Sequence, residues 1–227
     1  MKNNSLDFPF YNDKKISIID IIILLIMPIF FTIFTFMPFS IPYGLGPFVF
    51  FVAQFGAFLI VARGKISLLI KKPTFKDLVR VFATLILQYI VAVGLVLILR
   101  FVFGIVANSN GIFEMEMNAL FWIKIAFQLF GEELYKILIF LAVLTIMYKL
   151  TKKRKLSIVI ALTISVICFS FIHMTTYNNI VQILLIQGLA SLCCYYNYLK
   201  SKNILTSYLQ HFLFDAIPFI LSLIIHM

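Results

Sequence analysis

The sequence predicts an all-α fold, a polytopic membrane helix bundle of about seven transmembrane helices. Of the 227 residues, 63% are apolar and only 12% are charged, whereas soluble domains are roughly 45–50% apolar and about 25% charged. The apolar residues come in runs of about 20, the length that a helix needs to cross a hydrocarbon core of ~30 Å. Basic residues are concentrated in every second connection between these runs. Together these observations exclude an ordinary soluble domain.

Turn residues and charges divide the chain into seven predicted spans, and six or eight would also fit the pattern. The spans lie at 16–36, 47–62, 78–103, 119–148, 156–172, 180–199 and 204–225. The second and fifth are short for a full crossing of the bilayer. The first follows a basic segment, as the apolar part of a signal peptide does, but no small-residue cleavage site follows it. We expect it to be retained, and residues 1–227 to form a single membrane domain.

The distribution of positive charge predicts the orientation, because Lys and Arg are retained on the cytoplasmic side of short loops. Most of the 19 basic residues lie in the N-terminal tail, in residues 63–80, in residues 149–155 or in residues 200–202. The connection 104–118 has no Lys or Arg and carries Glu114 and Glu116. We therefore expect a cytoplasmic N-terminus and an external C-terminus.

The formal net charge of +10 does not indicate a nucleic-acid partner, because no segment outside the spans is long enough to form a basic domain. We interpret it as a topology signal that also attracts anionic membrane lipids, by roughly 1 kcal/mol per basic residue near the surface. Cys168, Cys193 and Cys194 all lie inside apolar runs. They are interpreted as buried apolar side chains.

Ionisable residues inside the spans are candidate functional residues, since a charge at the bilayer centre costs at least ~2.5–3.5 kcal/mol. Asp20, Arg100 and Lys124 lie near span ends, where a side chain can reach the interface, and are discounted. The remaining candidates are Glu132, Glu133, Lys136, His173, His211 and Asp215.

The fourth span carries polar residues at positions 124, 128, 132 and 136, which predicts a polar stripe on one helix face. Glu132 and Lys136 are an (i, i+4) pair, and Glu133 can reach Lys136 at (i, i+3). In the last span, His211 and Asp215 also share a face, and an Asp one turn from a His can orient the imidazole.

One glutamate and two histidines on three helices are enough to activate a water molecule, which favours hydrolysis with or without a metal. The alternative interpretation is structural, since Glu–Lys and His–Asp pairs can also hold membrane helices together through buried hydrogen bonds. If the residues form one site, the depths must match. At ~1.5 Å per residue, Glu132 and His173 lie about 24 Å from the basic ends of their spans and His211 only about 11 Å. Convergence in one cavity therefore requires the last span to start deeper or the helices to tilt.

The order of these motifs resembles the CAAX-protease and bacteriocin-processing family of intramembrane proteases. The motifs of that family are Glu-Glu-x-x-x-Arg, Phe-x-x-x-His and His-x-x-x-Asn or a similar residue. Here they read Glu132-Glu133, Phe169 to His173, and His211 to Asp215, all within residues 119–215.

The resemblance implies that Glu132 activates water, that His173 and His211 bind or polarise the water and the substrate carbonyl, and that Asp215 stands at the Asn position. Glu133, Lys136 and Phe169 would support them. The cofactor stays open: Glu132, His173 and His211 suit a divalent metal such as zinc, but they also suit metal-free acid and base chemistry.

Two departures from the family pattern concern charge. The Arg position is Ile137, and Lys136, one residue earlier, is rotated by about 100° and is expected to face Glu132. Asp215 stands where the family has Asn, and an ionised Asp cannot donate a hydrogen bond.

The sequence thus predicts an endopeptidase that cleaves a small peptide or a membrane-protein segment. A composition rich in Ile, Phe, Lys and Asn fits a low-GC bacterium, and the expected location is therefore a bacterial plasma membrane. The alternative is a catalytically inactive member that serves as a membrane scaffold, regulator or bacteriocin-immunity protein with a protein partner. An ion-coupled transporter is less favoured, since the inverted repeat of many such folds is lacking.

Overall fold

The computed structural model describes residues 7–37, 44–110 and 117–225, and within these ranges it is helical with no strand. Its helices are α1 (Ile18–Thr35), α2 (Gly46–Val61), α3 (Phe75–Phe101), α4 (Ala119–Thr151), α5 (Arg154–Phe171), α6 (Met174–Tyr177), α7 (Ile180–Ser201) and α8 (Ile204–Ile225). A short 3-10 turn, Ile66–Leu68, lies between α2 and α3. The predicted all-helical bundle is confirmed. Glu114 and Glu116 lie outside the described residues.

Five of these helices, α3, α4, α5, α7 and α8, are long and apolar enough to cross a membrane. The first two helices are shorter and also apolar. Each of the seven predicted spans therefore coincides with one helix, and the chain is a multi-pass membrane protein.

Helix α4 forms the centre of the bundle. The Asn118 side chain accepts a hydrogen bond from the Phe121 amide and so caps its first turn. Every residue from 131 to 142 is buried, as expected for a helix that is surrounded by other elements. Gly131 allows α2 to come close, since a Cβ atom there would lie 2.7 Å from the Phe50 ring and 3.2 Å from the Phe51 nitrogen. This contact fixes α2 against α4 directly beside Glu132.

The segment before α1 packs into the core, which the sequence did not predict. The Phe8 ring is buried and lies 5.3 Å from the Phe140 ring and 6.0 Å from the Tyr198 ring. Asp7 pairs with Arg154 at the start of α5 at 2.6 Å. The segment therefore fills a space between the ends of α4, α5 and α7.

The basic connections meet at one end of the bundle. Arg63 after α2 pairs with Asp20 of α1 at 2.9 Å, and the Asn203 side chain after α7 donates to the Lys71 carbonyl at 2.7 Å. With the Asp7 contact to Arg154, these bonds tie the four basic segments together. This arrangement follows the predicted alternation, and the assignment of that end to the cytoplasm stays a prediction.

Helix α8 begins deep inside the bundle. The Tyr198 ring, near the end of α7, lies 6.1 Å from the Phe140 ring, and Phe140 precedes the end of α4 by about 11 residues, or ~16 Å of helix. Ile204, the first residue of α8, is fully buried, and its amide donates to the Leu69 carbonyl at 2.8 Å. The deeper start offsets the difference in depth between His211 and Glu132 that the sequence implied.

Candidate active site

Glu132 lies at the centre of the candidate site. Its Oε1 atom accepts a hydrogen bond from Gln128 Nε2, one turn earlier on α4, at 2.9 Å. Its Oε2 atom lies 4.0 Å from His173 Nε2 and 3.8 Å from His211 Nε2. These distances are too long for direct hydrogen bonds and short enough for one water molecule to bridge.

His173 is placed by the end of α5. The helix ends at Phe171, and the His173 Nδ1 atom lies 3.0 Å from the Phe169 carbonyl oxygen. A carbonyl oxygen can only accept, so Nδ1 donates in this bond and Nε2 of a neutral ring is an acceptor that faces Glu132. The Phe169 ring packs edge-on against the imidazole of His173, with the two ring centres 4.8 Å apart. Phe169 therefore positions His173 through both its carbonyl and its ring.

His211 is oriented by Glu133. Its Nδ1 atom donates to Glu133 Oε1 at 2.8 Å, across the interface between α8 and α4. Asp215 lies 3.7 Å from the other nitrogen, Nε2. The expectation that Asp215 orients this ring is therefore corrected, because a carboxylate one turn later on α8 reaches only the Nε2 side. Asp215 instead faces the same space as Glu132.

Lys136 forms an ion pair with Glu133, and both side chains are only 1% exposed. The ammonium also lies 4.6 Å from the Phe169 ring centre and 5.5 Å from that of Tyr195, within the range of cation–π attraction. The expectation that Lys136 faces Glu132 is wrong, because the lysine side chain is held between Glu133 and these two rings. Among the described residues, no Lys or Arg lies within ion-pair distance of Glu132.

The four predicted catalytic residues, Glu132, His173, His211 and Asp215, line one cavity of about 860 Å³. Their predicted convergence is therefore present in the structure. A cavity of this size, in the usual range of ligand sites, can hold several residues of a peptide. Its wall continues along the N-terminal half of α4 past Gln128.

Two further features of the site carried little sequence signal. Tyr177, in α6, stacks on the His173 ring with centroids 6.2 Å apart. Helix α7 contains a π-helical segment, Ile183–Leu189, which the hydropathy pattern does not distinguish from an α-helix. Such segments are frequent at functional sites. Gly188 in this segment lies so close to the Ser170 hydroxyl that a Cβ atom would overlap it, which brings α7 against α5 beside Phe169.

The arrangement does not match a zinc site. The described residues contain no group of three or more His, Cys, Asp or Glu side chains that could hold a metal ion. Two ligand atoms on tetrahedral zinc lie ~3.3 Å apart, whereas Glu132 Oε2 lies 3.8 and 4.0 Å from the two histidine nitrogens. The cofactor stays an open prediction.

Comparison with protein families gives one match, over residues 115–217, to the family described as type II CAAX prenyl endopeptidase Rce1-like. This region is similar to that family. The matched residues contain all three motifs, and the match agrees with the resemblance found in the sequence. The matched family is one of CAAX-type endopeptidases. Neither the curated proteins nor the solved structures include a match to the chain.

The matched region of this chain departs from the family motif at Ile137. That side chain is fully buried and carries no charge. The cation beside Glu133 comes from Lys136 instead. A lysine offers a point charge in place of the two-pronged donor of arginine.

Proposed function

We propose that the chain is an intramembrane endopeptidase that hydrolyses a peptide bond with a water molecule held by Glu132 and His173. The observation that carries this proposal is the position of Glu132 Oε2, which faces the Nε2 atoms of His173 and His211 at 4.0 and 3.8 Å. A carboxylate and two imidazoles around one water-sized gap supply a base, a positioning group and a proton donor.

The first step is the addition of water to the carbonyl carbon of the scissile peptide bond. The water donates one hydrogen bond to Glu132 Oε2 and the other to His173 Nε2. As the water oxygen bonds to the carbonyl carbon, Glu132 takes its proton and the electron pair of the C=O bond moves onto the oxygen. The product of this step is a tetrahedral oxyanion.

The oxyanion is stabilised by His211. Because Nδ1 of this ring donates to Glu133, the ring in its imidazolium form offers its second proton from Nε2 to the oxyanion. Glu133, itself paired with Lys136, fixes the ring orientation.

The second step breaks the C–N bond. The electron pair on the oxyanion re-forms the carbonyl, and Glu132 returns its proton to the departing nitrogen. The products are a carboxylic acid and an amine, and Glu132 is again a carboxylate. The step needs no co-reactant besides water.

The substrate class we propose is a small peptide or a membrane-protein segment that reaches the cavity within the bilayer of a bacterial plasma membrane. The cavity wall contains apolar residues of α1, α2 and α8 beside the polar centre, which suits an apolar peptide chain better than a soluble, charged one.

The experiment uses mass spectrometry to compare the secreted and membrane peptides of three bacterial strains. The first lacks the protein, the second carries the wild type and the third carries Glu132→Gln. We expect new peptide ends with the wild type and none with the variant, at equal abundance in the membrane. If the wild-type protein is well expressed and its strain gives the same peptide map as the strain without the protein, the proposal is contradicted.

A second function, that of an inactive scaffold or regulator, is favoured by one observation. The arginine of the family motif is replaced by the buried Ile137, so the charge arrangement of the motif is changed. In that case the Glu132→Gln protein keeps the full biological effect of the wild type, because partner binding does not require a base.

A further inference from the structure

A second cavity, of about 380 Å³, lies between α5 and α7 and shares no lining residue with the candidate active site. Its walls are almost entirely apolar and are formed by Leu162, Thr163, Val166 and Ile167 of α5 and by Leu184, Leu185, Leu189 and Leu192 of α7. Ile167, Leu189 and Leu192 are each between 36% and 41% exposed. The cavity is therefore a groove that is open on the outer surface of the bundle, where lipid chains surround a membrane protein.

The groove has a closed floor because α5 and α7 touch behind it. The buried hydroxyl groups of Ser165 and Tyr195 are hydrogen-bonded to each other. Gly188 lies against the buried Ser170, where a Cβ atom would overlap the hydroxyl. The π-helical segment of α7 contributes three of the four leucines on its side of the groove. The groove is thus a shallow slot between two helices that are packed together.

Each wall of the groove continues along its helix to an exposed lysine at the basic end of the bundle. On α5, Lys155 precedes Leu162 by seven residues, or about two turns, and so lies on the same helix face. On α7, Leu192 is followed at four-residue intervals by Tyr196 and Lys200, and the Lys200 ammonium lies 5.5 Å from the Tyr196 ring centre. At ~1.5 Å per residue, both lysines lie ~11–12 Å along the helices from the near edge of the groove.

The two helix ends meet and carry an excess of positive charge. The Phe8 ring centre lies 5.5 Å from the guanidinium carbon of Arg154, at the start of α5, and 4.0 Å from the ammonium of Lys202, just after α7. Among the residues that the structure describes, no carboxylate lies within ion-pair distance of Lys155 or Lys200. The space above the groove therefore offers positive charge without a protein counter-charge.

The pKa of Lys202 reflects the same excess. Burial is the main cause of its fall from 10.5 to about 8, and the positive charges of Arg154, Lys200 and Lys71 act in the same direction. The negative charge of Asp7 opposes them, but Asp7 is already paired with Arg154 at 2.6 Å. An anion that binds at this end therefore relieves repulsion between the basic side chains.

We propose that the groove and the two exposed lysines bind one anionic phospholipid, with its phosphate at Lys155 and Lys200 and the far half of an acyl chain in the groove. The dimensions fit, because the chains of one leaflet span about half of a ~30 Å hydrocarbon core and the groove begins ~11–12 Å from the lysines. Basic sites between membrane helices bind lipid headgroups in the same way. A lipid bound here connects the start of α5 to the end of α7, and so stabilises the helix that positions His173.

The test uses the purified full-length protein in an uncharged detergent. The probes are phosphatidylglycerol, phosphatidylcholine with the same acyl chains, and inorganic phosphate. Native mass spectrometry counts the lipids that stay bound. The rise in melting temperature with probe concentration gives the apparent affinity of each probe. The comparison of the two lipids measures the contribution of the charge, and inorganic phosphate measures what a phosphate does without a chain.

We expect one bound phosphatidylglycerol, with an affinity about tenfold higher than that of phosphatidylcholine, since two lysines face the anionic headgroup. The double variant Lys155→Gln, Lys200→Gln should reduce this preference to less than about twofold. The matched control Lys65→Gln, Lys76→Gln removes two exposed lysines near the start of α3 and should leave the preference unchanged. Thr163→Phe, which fills the groove, should weaken the binding of both lipids by about fivefold.

An equal loss of preference in the two double variants would overturn the site, because it would show a general attraction to a positive surface. Inorganic phosphate that stabilises the protein as strongly as phosphatidylglycerol would also overturn it, because the acyl chain would then contribute nothing. The altered side chains are all exposed, and melting temperatures without lipid show that each variant is folded. None of these outcomes depends on whether the protein cleaves a peptide.

Discussion

Lys136 pairs with Glu133, three residues earlier on α4, and both side chains are almost completely buried. This pair separates the two adjacent glutamates into different environments. Glu133 forms an ion pair with Lys136 and accepts a hydrogen bond from His211, whereas Glu132 faces the cavity. The separation allows one carboxylate to hold the site in place while the other is available as a base.

The buried pair predicts a strong and asymmetric effect on stability. Lys136→Met leaves the Glu133 carboxylate buried without its cation, and we expect a loss of about 3–5 kcal/mol. The double variant Lys136→Met, Glu133→Gln removes both charges and should recover a large part of the loss. Thermal unfolding in detergent measures both. A single Lys136→Met variant as stable as the wild type would show that the pair does not contribute.

The two histidines and Asp215 should differ in their effects on activity. His173→Ala and His211→Ala each remove a group that contacts the proposed water or oxyanion, and we expect cleavage to fall by about 10²- to 10⁴-fold. Asp215→Asn installs the residue found in the family motif and should change cleavage by less than about tenfold, since Glu133 keeps His211 oriented. The measurement is the cleavage rate per folded protein. An Asp215→Asn effect as large as that of His211→Ala would assign the orienting role to Asp215.

The predicted topology places residues 63–80 and 149–155 in the cytoplasm. In a variant without Cys168, Cys193 and Cys194, a single cysteine is introduced at position 110 or at position 152. A membrane-impermeant thiol reagent added to intact cells should label position 110 and leave position 152 unlabelled. The opposite pattern would invert the orientation.

The contact between Asp7 and Arg154 predicts a pH-dependent contribution to stability. Burial alone would raise the pKa of Asp7, but the hydrogen bonds from Arg154 and Tyr11 outweigh it and lower the pKa from 3.8 to about 2. The contribution is therefore complete above pH ~4 and is lost as the pH falls toward ~2.

Asp7→Asn should accordingly lower stability by ~0.5–1 kcal/mol at pH 6, a value reduced for the partial exposure of both side chains. The difference from the wild type should shrink at pH 3. Asp13→Asn, which changes an exposed side chain that accepts one bond from the Lys15 amide, is the control. A difference that is equal at both pH values would show that the ion pair is not its cause.

The sequence was sufficient to predict the helices and the grouping of the ionisable residues around one cavity, because both follow from patterns along the chain. Apolar runs define the spans, and ionisable residues at membrane depth are rare enough to mark Glu132, His173 and His211. The pairing of Glu133 with His211 could not be predicted in this way. Helical periodicity shows which residues share a face of one helix, but it contains no information on the face that a neighbouring helix presents.

The depth of α8 shows the same limit. Its start is set by contacts of Ile204 with Leu69 and by the packing of Phe8 between Phe140 and Tyr198. These contacts join parts of the chain that are far apart in sequence. The π-helical segment of α7 packs closely against α5, at Gly188 beside Ser170, and the hydropathy pattern does not distinguish it from an α-helix.

The central claim is that Glu132 activates water. The most direct measurement uses purified wild-type and Glu132→Gln proteins in proteoliposomes, at equal amounts of folded protein. It compares the rates at which the two proteins cleave a substrate peptide identified by mass spectrometry. The amide keeps the volume of Glu132 but cannot take a proton from water. We predict a loss of at least about 10²-fold with an unchanged melting temperature. A Glu132→Gln protein that cleaves at the wild-type rate would contradict the account.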